Sequence, residues 1–439
     1  MGVLSSLSDL FGIFGFLVAR GGWIFLVLAG LYVAWLLFVE YKQIKFLKST
    51  KWIFLTVDIP KENEQTFLAV EQIFAQLHAI HVNYTFGEKY FHGQVVLWIS
   101  MEIVSFGGQI KYIFKVPERY RNLFESAFYA HYPDAEIQQV EDYINNVPNY
   151  DPKTSYYDVW GAEFKLKKED AYPIRTYRAF EHQASEVIVD PLAGVLEALS
   201  SCKPYEFMAA QFMIRPVDEE WKEDARELVK ELKGEKKEKP KKGFLGSILE
   251  GVFSGLTGIF EGATVGEAQV SPSVAEYEPP SMMMHLSPGE KDIIAAIEAS
   301  LGKIGFKVKI RLMYLAPKDK FDKNKRNALV GSFRQFDDNN LNGLKPDTKK
   351  TWTGIHFKFS QTLETPFISF LVNRRKRRLL MFYKSRSFTK GFKPFIFNIE
   401  ELATVFHFPL VTVKAPQLTK TEIKKGEAPL NLPVSQEPF

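Results

Sequence analysis

Nine basic side chains and no acidic one fall within residues 373–393, NRRKRRLLMFYKSRSFTKGFK: Arg374, Arg375, Lys376, Arg377, Arg378, Lys384, Arg386, Lys390 and Lys393. The chain holds 56 Lys and Arg against 52 Asp and Glu, a net charge of +4, so outside this stretch it is net acidic. Phe382, Tyr383 and Phe388 are interleaved with the cations. Cations that neutralise phosphates beside rings that stack on bases suit nucleic acid. Anionic lipid suits them equally, each cation near such a surface being worth about 1 kcal/mol. An ordinary solvated face, or one meeting an acidic protein, has the same composition.

Other chemistry is poorly represented. No glycine run ends in Gly-Lys-Ser or Gly-Lys-Thr, so the backbone cradle and lysine that hold nucleotide phosphates in a P-loop are missing. His78 and His81 are spaced i, i+3 without a thiolate or acid at a standard zinc spacing, and read as helix-surface histidines. Cys202, the single cysteine, excludes an intramolecular disulfide or a cysteine-rich zinc module and reads as a structural thiol. There is no local Ser/His/Asp signature and no dinucleotide fingerprint. Tyr112 and Phe114 alternate on one strand as RNA-stacking aromatics would, but the accompanying glycine and basic residue are out of register. The expectation is a protein that is not an enzyme and needs no cofactor or metal.

The elements that must position the basic run begin with a membrane segment. Residues 21–39, GGWIFLVLAGLYVAWLLFV, are uncharged and mostly apolar, and as a helix they span roughly 28 Å, close to a hydrocarbon core of about 30 Å. The run is longer than a signal-peptide core, and no small-x-small cleavage site follows. Trp23 and Tyr41 mark its interfaces. Lys42, Lys45, Lys48 and Lys51 follow it, whereas Arg20 and Asp9 precede it, which predicts a cytoplasmic C-terminal side and an extracytoplasmic N-terminus. Residues 1–20 are expected to be a short interfacial segment.

At 46% hydrophobic and 14% aromatic content, the remainder can bury two or three domain cores. Over residues 48–150 the periodicity predicts a strand, a helix, two strands joined by SFGG, a helix and a strand: βαββαβ, a ferredoxin-like α+β unit. A second α+β domain is predicted over 151–233 and 288–409, with strands at FKLKK, IRTYRAFEH and EFMAAQFMIRPV and a capped helix at DPLAGVLEALSS. An insertion, 234–287, divides it. Within the insertion a lysine-rich lead precedes a helical apolar stripe that includes Phe253 and Phe260, suited to a membrane interface, to the protein's own core or a partner, or, because its glycines weaken an isolated helix, to disorder. Asn398 and Glu401 predict a capped helix that His407-Phe408-Pro409 ends, and 410–439 reads as an extended linker.

Several stretches in order, EKYFHGQVVLWISMEIVSFGGQIKYIF, AHYPDAEIQQVEDY, AYPIRTYRAFE, DPLAGVLEALSS and IEELATVFHFP followed by VKAP and APLNLP, together resemble the membrane-anchored region ahead of type IV secretion and conjugation ATPases of candidate-phyla bacteria. In such proteins a HerA/FtsK-like motor with a P-loop follows. The resemblance therefore implies an accessory module of a DNA-translocating ATPase carried on a separate chain, in the bacterial inner membrane, with His407, Phe408 and Pro409 near the docking point. Because such motors form rings, it also implies homo-oligomerisation and DNA as a further contact. A stand-alone membrane scaffold or anionic-lipid-binding protein is the alternative.

Overall fold

A computed structural model describes residues 23–60, 65–180, 189–234, 286–353 and 366–410. The segment 1–20, the insertion stripe with Phe253 and Phe260 and the linker beyond Leu410 lie outside the described residues. The chain enters through α1 (Trp23–Ser49), one continuous helix about 40 Å long. It is long and apolar enough to cross a membrane, and Leu31 and Tyr32 along it are more than 60% exposed.

Two residues later β1 (Trp52–Asp58) starts, followed by α2 (Phe67–Leu77), α3 (Phe86–Tyr90), β2 (Ile99–Phe106), β3 (Gln109–Pro117), α4 (Arg121–Tyr129) and β4 (Glu136–Val140). Then come β5 (Tyr157–Leu166), α5 (Ala193–Ser200), β6 (Phe207–Pro216), α6 (Trp221–Leu232), α7 (Pro288–Leu301), β7 (Gly305–Pro317), α8 (Lys323–Gly331) and β8 (Leu344–Pro346). The described chain closes with α9 (Pro366–Lys384), β9 (Phe395–Asn398) and α10 (Ile399–Val405).

The strands form one antiparallel sheet in the order β4-β1-β3-β2-β6-β7-β5-β8, with β9 paired to the start of β7. The first four strands have ferredoxin-like order with α2 and α4 as crossovers. The last four repeat that order in mirror sequence, with α5 and α8 as crossovers and the α6–α7 pair inserted between β6 and β7. The halves meet edge to edge where β2 pairs with β6, from Ile99↔Ile214 to Phe106↔Phe207. Pairing removes two exposed edges from the middle of the sheet. It also explains why β2 and β6 are almost wholly buried.

One face of this sheet carries α2, α4, α5, α8 and α10 over a single apolar core that spans both halves, with Ile73, Phe124, Leu196, Phe333 and Leu402 all buried in it. Tyr112 and Phe114 belong to that core, edge-on to Phe406, so they face helices and not a bound base. On the opposite face α9 and residues 143–150 pack through Leu379, Leu380, Tyr383, Tyr143 and Val147. IRTYRAFEH is predicted as a strand; its described part, residues 174–180, is a loop with a short 3-10 turn at Tyr177–Phe180. Its backbone is satisfied elsewhere: Arg175 N–H donates to the Phe336 carbonyl and Tyr177 N–H to the Thr404 hydroxyl.

Candidate functional site

A line of polar side chains crosses the centre of the second face. Glu102 on β2 stands opposite Gln211 on β6, Gln211 opposite Arg311 on β7, and Arg311 opposite Glu163 on β5. The side chains join in the same order: Gln211 Nε2 donates to Glu102 at 2.9 Å, Arg311 Nη1 to Gln211 at 3.3 Å, and Arg311 Nε to Glu163 at 2.5 Å. All four are essentially inaccessible.

This row receives the C-terminal end of α9, whose last carbonyls have no partner within the helix. Arg311 donates to the Phe382 carbonyl at 3.0 Å and, past the helix, to those of Ser387 at 2.6 Å and Lys390 at 2.8 Å. Gln211 donates to the Tyr383 carbonyl at 3.2 Å. Arg386 then turns inward at φ +49°, a left-handed conformation uncommon outside glycine. Its guanidinium contacts Glu102 at 2.7 Å and grips Asp142 through two bonds of 2.8 Å, over the Phe54 ring. Burial works against its charge, but Glu102, Tyr143 and Asp142 more than offset this and hold it protonated well above its ordinary range. Burial lowers Lys309, which donates to the Lys390 carbonyl, to about 8. At Gly391, φ +100°, a Cβ would collide with the Glu163 carboxylate, which also accepts from Phe392 N–H.

The basic run is thereby divided. Arg386 is buried in the network, and Lys376, Arg377, Lys384 and Arg375 tie α9 to neighbouring loops. Lys376 meets Asp158 at 2.5 Å and Arg377 meets Asp151 at 2.9 Å. Lys384 donates to the Val147 carbonyl and the Asn149 side chain, and Arg375 to the Lys349 and Trp352 carbonyls. Arg374 and Arg378, one helical turn apart on the exposed side, form no ion pair with the described residues. With Lys350 and Thr351 they line a groove of about 330 Å³. Lys390 is exposed on the following loop, and Lys393 borders a second groove, about 640 Å³, with Lys165, Lys167 and Lys168.

Three sequence expectations are corrected by this packing. The aromatics among the cations do not offer stacking surfaces: Phe382, Tyr383 and Phe388 are buried, Tyr383 against the Tyr143 hydroxyl and Phe388 against Trp98. Arg386 is likewise no surface contact. His407, Phe408 and Pro409 are interior. The Phe408 ring sits among Tyr112, Phe128 and Tyr132, and His407 bridges the Ala403 carbonyl and the Asp190 carboxylate at 2.9 Å each. They close the core.

On α1, Trp23, Tyr41, Lys45 and Lys48 are exposed, as is Lys51 just beyond it near Glu118, while Lys42 is half-buried over Phe38. Cys202 is buried, and burial pushes its thiol up to about 12, which makes it inert. His78 and His81 stack on each other, with His78 bonded to the Val217 carbonyl. Among the described residues no group of His, Cys, Asp or Glu is placed to hold a metal.

Glu102, Gln211, Arg311 and Glu163 escaped sequence reasoning. Their signal was a polar or charged residue at the centre of an otherwise apolar strand (SMEIV, AAQFM, KIRLM, GAEFK), which is costly unless such residues meet across the sheet. Comparison with curated proteins finds no match. Residues 42–421 match the model of a domain of unknown function, DUF8128, which covers all the described elements after α1, and the chain belongs to that family.

Proposed function

We propose that this protein is a non-enzymatic, membrane-anchored platform that presents a cationic groove to nucleic acid beside a DNA-translocating ATPase. The observation that carries the reading is the groove itself. Arg374 and Arg378 project from α9, whose C-terminal end is fixed to the sheet through buried ion pairs, and Lys350 from the turn whose backbone the buried Asp347 carboxylate holds, so three cations are kept in place around one groove. Pre-positioned cations lose less freedom on meeting a phosphate chain. The ATPase rests on the sequence resemblance alone. So do the bacterial inner membrane as its location and a ring of copies, in which several weak grooves would act together. An inside-facing body agrees with the lysines that follow the apolar run.

Binding of a labelled DNA duplex by the full-length protein in detergent, followed by anisotropy over a salt series, tests the reading. Combined substitution Lys350→Ala, Arg374→Ala and Arg378→Ala is expected to weaken binding and to flatten the plot of log affinity against log salt by up to about 2.7, three contacts at roughly 0.9 each. An unchanged slope would remove the groove from the account. The exposed Lys45 and Lys48 beside the apolar run favour a second reading, an anionic-lipid scaffold. Proteoliposomes that bind no DNA at any salt, but whose anionic-lipid preference depends on these lysines, would select it.

A further inference from the structure

A cluster of aromatic side chains beside the anchor has no role in the cationic groove. The loop between α2 and β2 carries α3, started by a capping box in which Thr85 N–H donates to Glu88 at 2.8 Å and Glu88 N–H to the Thr85 hydroxyl at 3.4 Å. Phe86 is 66% exposed and Phe91 48%, although their rings lie against Tyr90 and each other. The cluster leans on α1: the Trp35 ring stacks on Tyr90 at 6.2 Å and meets Phe91 edge-on at 5.7 Å. The loop is held there by Gly93, φ +71°, whose Cα lies so close to the Lys42 backbone that any Cβ would overlap it.

Trp35 lies five residues before Glu40, the first charged residue after the apolar run, hence about 7.5 Å further along the axis toward the bilayer. Whatever surrounds α1 at that depth also surrounds the ring cluster beside it. Exposed large rings next to a membrane-crossing helix are what an interfacial aromatic belt looks like, whereas in water they would form an apolar patch without a partner. The charges are compatible with this placement. Lys89 lies over the Tyr90 ring at 5.5 Å and can extend its amine toward head groups. Glu88 has its carboxylate taken up by Thr85.

We infer that Phe86, Tyr90 and Phe91 form a wedge that enters the leaflet facing the folded body, so that the protein contacts the bilayer at two adjoining points, the α1 span and this loop. The inference rests on α1 crossing the membrane. A second contact fixes the tilt and rotation of the body, which a single helix leaves free, and therefore the direction in which the α9 groove faces.

The test uses the full-length protein reconstituted in phosphatidylcholine/phosphatidylglycerol vesicles, with one environment-sensitive fluorophore on an introduced cysteine; buried Cys202 stays unlabelled. Labels are placed by Phe86→Cys and Phe91→Cys in the wedge, by Leu31→Cys in the span, and by Tyr156→Cys at the opposite end of the strands from α1. Quenchers attached to lipid chains should quench the labels at 31, 86 and 91 several-fold more than the label at 156. Strong quenching at 31 with 86 and 91 matching 156 would overturn the wedge while leaving the span intact. Labels at 86 and 91 shielded from aqueous iodide yet untouched by lipid quenchers would also overturn it, and would put a protein surface there instead. If 31 is not quenched either, the span and the wedge fall together.

Discussion

Arg386→Ala removes the guanidinium from fully buried Glu102 and from Asp142, whose side chain is 27% exposed. Glu102 retains Ser100 at 2.6 Å, Gln211 at 2.9 Å and the Tyr143 hydroxyl as donors. These are neutral groups, and no cation remains in contact with a charge shut away from water. Breaking a buried pair by deleting one partner costs about 3–5 kcal/mol. Because Asp142 is partly screened by solvent, the lower end applies, about 3 kcal/mol. Alanine inherits the same φ of +49°, so no backbone relief reduces the loss. For a body of this size about 2 °C accompany each kcal/mol, which predicts a fall in Tm of roughly 6 °C. Thermal unfolding of wild type and variant in the same detergent, followed by near-ultraviolet circular dichroism, measures it. The double variant Glu102→Met, Arg386→Met should recover part of the loss, since it removes the buried unpaired charge but leaves Asp142 without its cation and Ser100 without its acceptor. A fall below about 2 °C for Arg386→Ala would refute the claim that this network holds the end of α9.

Gly391→Ala should lower Tm by several degrees, because it adds a Cβ at φ +100° against the Glu163 carboxylate, a conformation costing about 1–3 kcal/mol for a side chain. Burial pushes the Glu401 carboxyl up to about 8 from its ordinary 4.5, against hydrogen bonds from the Asn398 and Ile174 amides. The folded state therefore holds a proton that the unfolded state has released, and stability should decline as pH rises from about 4.5 toward about 8. Glu401→Gln should flatten that decline in a series of thermal melts, and an unaltered slope would count against it. Cys202 should resist maleimide at neutral pH until the protein unfolds, as its raised thiol and burial require; prompt labelling of the native protein would show that α5 and β6 part more readily than their packing implies.

The first ferredoxin-like half was legible because its strands and crossover helices follow one another in order with clear periodicity. The second half was not recognisable as a repeat, because its hairpin β6–β7 is split by residues 217–304, which carry α6 and α7. The basic run illustrates a different limit. Composition shows nine cations together, but their partners lie far off in sequence: Glu102, Asp142, Asp151 and Asp158 reach them only through folding. Helix geometry then separates Arg374 and Arg378 from the cations that pin α9. At the C-terminal end of the described chain the local signal was sound, since Asn398 and Glu401 do form a capping box and the helix does end before His407-Phe408-Pro409. Whether those three residues faced a partner or the core depended on Tyr112 and Asp190, which local pattern cannot supply.

The central claim, that the α9 groove meets nucleic acid at a membrane, is tested most directly in native membranes. A photo-crosslinking phenylalanine derivative placed at Arg378, where the side chain is exposed at the groove, reports what lies within contact distance when illuminated. The account predicts a nuclease-sensitive adduct that disappears when Lys350 and Arg374 are both replaced by alanine. An adduct to lipid, or to protein with no nuclease-sensitive component, would contradict it.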